Sequence, residues 1–136
     1  MQKKGSELGN ANCQNTLARY YFLGLGTKKD MVEALKWAEK AAVYSELQSA
    51  NCLAGLLYAD KSVGNDMEKA VYYFKKSTKL RESLEGLATC YSKGIGVPID
   101  KKEAMEYEER ASDRMKGALG GWIESYYDFV PDLFLY

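Results

Sequence analysis

Three stretches of this chain are variants of one another, and an internal repeat restricts the possible folds more than any other sequence feature. The first unit reads CQNTLARYYFLGLGTKKDMVEALKWAEKAA from Cys13, the second ANCLAGLLYADKSVGNDMEKAVYYFKKST from Ala50, and the third SLEGLATCYSKGIGVPIDKKEAMEYEERAS from Ser83. Ala18, Gly55 and Ala88 align, as do Tyr21, Tyr58 and Tyr91. Further along come Asp30, Asp66 and Asp100, then Ala34, Ala70 and Ala104, then Trp37, Tyr73 and Tyr107. The aspartates lie 36 and 34 residues apart, and the middle unit is one residue shorter between its tyrosine and its aspartate. A unit of this size cannot bury an apolar face alone, so the units must stack.

Each unit reads as two helices. Leu17, Ala18 and Tyr21 share one face of a 3.6-residue period, and the small residue at position 18, 55 or 88 lets a partner helix approach closely. The GLGTKKD and GIGVPID segments end the first helix: glycine supplies a left-handed residue, and Pro98 prevents continuation. Asp30 and Asp100 are followed three residues later by Glu33 and Glu103, the pattern of a capping box. The second helix then buries Ala34, Trp37, Ala38 and Ala41 and exposes Glu33, Lys36 and Lys40. The expected helices are 11–23, 31–44, 48–60, 66–79, 83–93 and 101–115. The organisation is a lead-in at 1–10, units at 11–46, 47–81 and 82–116, and a capping helix with an aromatic tail at 117–136.

Composition removes most chemistry. The 136 residues include no histidine, which excludes serine–histidine–aspartate triads, cysteine–histidine dyads and most zinc sites. Cys13, Cys52 and Cys90 form no Cys-x-x-Cys pair and fall at three different positions of the repeat, so they read as structural thiols in a reducing, cytoplasmic setting. Glu103, Glu106, Glu108 and Glu109 lack a metal-binding loop and read as a solvated face. Gly24-Leu25-Gly26 and Gly94-Ile95-Gly96 follow helices and precede no Gly-Lys-Ser/Thr, so they are turns and not phosphate loops. Neither a cofactor nor a metal is expected. Nineteen basic residues balance nineteen acidic ones, which speaks against nucleic acid, and no apolar run is long enough for a membrane. The balance hides a gradient: seven cationic against four anionic residues over 1–40, then seven against eight over 81–120 and none against three over 121–136.

The alignment small-x-x-x-Leu-small-x-x-Tyr-x-x-Gly-x-Gly-Val-x-x-Asp-x-x-x-Ala-x-x-Trp/Tyr resembles the Sel-one-like repeat, a relative of the tetratricopeptide repeat. The third unit carries it most fully, in Tyr91, Gly94, Gly96, Val97, Asp100, Ala104 and Tyr107. The second departs from it, with ADKSVGND in place of the Gly-x-Gly turn. The resemblance implies an all-α, right-handed superhelix of antiparallel helix pairs that serves as an adaptor surface for other proteins.

The function expected on these grounds is non-enzymatic binding of a protein or peptide in a concave groove. A different class, a neutralising (immunity) protein that masks a toxin domain, is the alternative. If the first helix of each unit lines the groove, its lining is Asn12, Asn15, Arg19 and Phe22, then Ser49, Cys52 and Leu56, then Glu82, Glu85 and Thr89. Arg19 and Phe22 are the expected anchors. Five of the eleven tyrosines, Tyr21, Tyr58, Tyr73, Tyr91 and Tyr107, are explained by packing at the repeat positions. Tyr20, Tyr44 and the aromatic group from Trp122 to Tyr136 fall outside them, and that group reads as a cap for the open end of the stack.

Overall fold

A computed structural model describes residues 2–44 and 46–113, with side chains from residue 10 onward. The expected cap at 117–136 lies outside the described residues. Six helices follow one another: α1 (Gln2–Leu23), α2 (Met31–Ala41), α3 (Gln48–Ala59), α4 (Met67–Lys75), α5 (Arg81–Lys93) and α6 (Lys101–Ser112). They pair as α1 with α2, α3 with α4 and α5 with α6, one hairpin per unit. Among the described residues there is no strand.

The first helix starts nine residues ahead of the repeat pattern, within the expected lead-in. α4 stops earlier than expected, at Lys75, because Ser77 turns the chain. Its hydroxyl donates to the Tyr73 carbonyl at 2.9 Å and its N–H to the Phe74 carbonyl at 3.0 Å, which tightens the last turn.

The three repeat aspartates cap the second helices. Asp30, Asp66 and Asp100 each accept from the backbone N–H three residues on, at 3.1 Å. The reciprocal half of a capping box is not made. Each aspartate N–H instead donates to the carbonyl of the repeat tyrosine, Tyr21, Tyr58 or Tyr91, at 2.9 Å in every unit. That bond closes the hairpin, so the cap and the turn are one device. The middle unit reaches the same geometry without Gly-x-Gly: Gly64 donates to Leu57 and Asp60, and Asn65 takes the left-handed residue at φ 49°. Asp100→Ala is expected to cost about 1 kcal/mol in urea denaturation, and Asp100→Asn only a small part of that, since the amide oxygen still accepts.

Stacking of the hairpins buries α3 on all sides. Every residue from Ala50 to Ala59 is buried, matching a sequence that is apolar around the whole helix. Phe74 of α4 is the central wedge. It is fully buried, and a Cβ added at either Gly55 of α3 or Gly86 of α5 would fall 2.8 Å from its ring. The two glycines therefore make room for one phenyl group at the junction of the second and third units.

Candidate functional site

The register set by Ala18, Gly55 and Ala88 places the expected groove residues other than Phe22 at three equivalent positions along the first helices. Asn12, Ser49 and Glu82 share one, Asn15, Cys52 and Glu85 the next, and Arg19, Leu56 and Thr89 the third. Six of these remain at least partly accessible: Asn12 is exposed, and Asn15, Arg19, Ser49, Glu85 and Thr89 are half-buried. The other expected lining residues belong to the core. Phe22, Cys52, Leu56 and Glu82 are all buried, with relative exposures of 1% or less. Periodicity gave the direction in which these side chains leave their helices, but not how far neighbouring helices close over them. Cys52 and Leu56 lie on the fully enclosed α3, and Phe22 ends α1 inside the apolar cluster. Phe22 therefore packs in the core, with 1% of its surface exposed.

The accessible residues are held in place by local bonds. Asn15 Nδ2 donates to Ser49 Oγ at 2.9 Å and so ties α1 to α3. Among the described residues, the buried Asn15 Oδ1 meets no hydrogen-bond donor. On α5, Arg81 Nε reaches Glu85 at 3.0 Å, and the Thr89 hydroxyl donates to the Glu85 carbonyl at 3.0 Å. At the head of the same helix, Glu82 keeps Oε1 without a donor. Burial pushes its carboxyl above the usual range and Glu85 adds to the rise, while a bond to its own backbone opposes it.

Sequence reasoning missed a further set of contacts, on the other side of the stack. Glu39 of α2 accepts from the hydroxyl groups of Tyr58 at 2.6 Å and Tyr73 at 3.1 Å, both in the following unit. The two rings stack at 5.8 Å. Burial and the Glu39 carboxylate both hold these phenols protonated well above their ordinary range. In the next unit Lys75 takes the place of Glu39 and meets Tyr91. The repeat tyrosines were legible, but the acceptor was not: Glu39 reads as one more charge on an exposed helix.

Nothing in this arrangement assembles a nucleophile. Burial pushes the Cys52 and Cys90 thiols up to about 12, so both stay protonated and unreactive. Among the described residues, no three metal-binding side chains come together. No described helix is long and apolar enough to cross a membrane.

Six helices paired as hairpins and stacked in one register define an all-α repeat solenoid. The Sel1 repeat pattern matches residues 11–42, 49–82 and 81–114, and the chain belongs to the Sel1 repeat family. Such repeats are generally protein-interaction modules and typically non-catalytic scaffolds. The fold is similar to that of a Sel1 repeat protein from Oxalobacter formigenes, with a TM-score of 0.70 and 27% identity over 88% of this chain and 50% of that one. It is also similar to c5321, a protective antigen present in uropathogenic Escherichia coli strains that displays an SLR fold. There the TM-score is 0.68 and the identity 32%, over 82% of this chain and 24% of the antigen. The chain thus spans half or less of these relatives. No curated protein matches it.

Proposed function

We propose that this chain binds a segment of a partner protein along the inner face formed by α1, α3 and α5. The observation that carries this reading is the Asn15–Ser49 bond at 2.9 Å, which sets two partly accessible polar side chains at the junction of two units. Around it, Asn12 and Arg19 lie at one end and Glu85 and Thr89 at the other. A ligand with an acidic and a basic end therefore has one preferred polarity. Recognition is polar, because the apolar middle expected of the groove is enclosed in α3. The free cysteines suit a reducing compartment, consistent with a cytoplasmic module.

The test begins with a partner captured from the native cell and identified by mass spectrometry. Arg19→Ala and Asn15→Ala are each expected to weaken its binding by at least about 1 kcal/mol with the fold intact. Lys36→Ala, on the outer side of α2, is expected to change little. Loss of binding with Lys36→Ala but not with the inner-face variants would move the site to the outer face. A single partner held near nanomolar affinity would favour the neutralising role over an adaptor.

A further inference from the structure

Two independent contacts show which stripe of a first helix faces the unit before it. Gly86 of α5 lies against the Phe74 ring, and Ser83 bonds to Ser77 at 2.7 Å; both partners lie on or just after α4 of the preceding unit. The stripe is completed one turn on, as Ser83, Gly86, Leu87 and Cys90, all buried. Its equivalent in the second unit is Ala50, Leu53, Ala54 and Leu57, each with no exposed surface. In the first unit the same four positions are Cys13, Thr16, Leu17 and Tyr20, and all four are exposed. Leu17 is 37% and Tyr20 46% accessible at positions where the other units show none. Among the described residues, nothing covers in the first unit the surface that the repeats use to dock on one another. A polar residue at each position would have made this end a cap.

The complementary surface stands at the far end. The positions equivalent to Phe74 and Ser77 are Glu108 and Ala111 of α6. They line a groove of about 450 Å³ with Arg81, Glu85, Ala88, Thr89 and Ser112. Glu109 beside it corresponds to Glu39, the residue that accepts the hydroxyl of the next unit's tyrosine. The stripe carries no charge, and in the groove Arg81 pairs with Glu85 at 3.0 Å, beside Glu108.

We infer that copies of this chain associate head to tail: the Cys13, Thr16, Leu17 and Tyr20 stripe of one docks in the α5–α6 groove of the next, extending the internal stacking across molecules. The two surfaces differ, so the contact is heterologous and need not close into a ring. Sedimentation velocity of the full chain at rising concentration tests it. The expected result is a mass that grows past the monomer with concentration. Leu17→Glu removes one surface and Glu108→Arg the other, each at an exposed position, with helicity checked by circular dichroism. Either variant alone is expected to stay monomeric, while a mixture of the two stops at a one-to-one dimer. In the wild type, alkylation of Cys13 should slow severalfold as concentration rises, with buried Cys52 and Cys90 silent. A wild type that is monomeric up to millimolar concentration overturns the inference, as does Glu108→Arg associating like wild type. The first result would fit a groove filled within the same chain, and the second a symmetric pairing of two stripes.

Discussion

Phe74→Ala is expected to lower the unfolding free energy by about 3–5 kcal/mol. The ring has no exposed surface, and it meets Gly55 within its own hairpin and Gly86 in the following one. Removing it opens a cavity at the junction of two units, where neither α3 nor α5 has a side chain to fill the space. The reverse change is costly for the same reason. A Cβ at position 86 would sit 2.8 Å from the ring, so Gly86→Ala forces the phenyl group to move; such overpacking costs about 1–3 kcal/mol. Combining Gly86→Ala with Phe74→Leu gives the sharper check by urea denaturation. The smaller side chain yields space to the new methyl, so the double variant is expected to lose less than the sum of the two singles. Strict additivity would mean that the ring and the glycine do not touch.

The second large effect is alkaline. The Cys52 and Cys90 thiols rise from 9.0 to about 12, chiefly through burial; at Cys52 the Ser83 hydrogen bond works against the rise, and Glu82 and Glu85 add to it. In the unfolded chain both thiols ionise from about pH 9, while in the folded chain they keep their protons to about pH 12. Between these values the unfolded state binds fewer protons, so stability falls as pH rises and is unaffected below that window. A shift of this size corresponds to a loss on the order of 4 kcal/mol per thiol at the top of the window. Tyr58 and Tyr73, also shifted upward, steepen the fall above pH 10. Denaturation midpoints measured from pH 8 to pH 11 should decline for the wild type and decline less for Cys52→Ala and Cys90→Ala. Equal slopes for all three proteins between pH 9 and 10 would show that solvent reaches the thiols.

Local features of the fold were legible because they depend on residues close in sequence. The three aspartates, nine or eight residues after their tyrosines, specify a cap and a hairpin closure that span one turn of chain. Even the shortened middle loop reaches the same bond, because Asn65 adopts the left-handed conformation that Gly supplies elsewhere. The small residues at 18, 55 and 88 and at 34, 70 and 104 mark where helices approach within a hairpin, and all six are buried.

What the sequence by itself determined, then, is the unit: two helices, their caps, their turn and the face on which they pair. The tertiary structure decided what each unit meets. Cys52 occupies the same repeat position as Asn15, yet one is enclosed and the other partly open, because among the described residues α3 has a unit on each side and α1 has one on a single side. For the same reason Leu17 and Leu87, identical in type and register, are respectively 37% exposed and fully buried. Glu39, an ordinary helix-surface glutamate in the sequence, becomes the acceptor for two phenols only when the next hairpin stacks against it. A repeat pattern encodes side-chain direction through the helical period, but burial depends on where a unit stands in the stack.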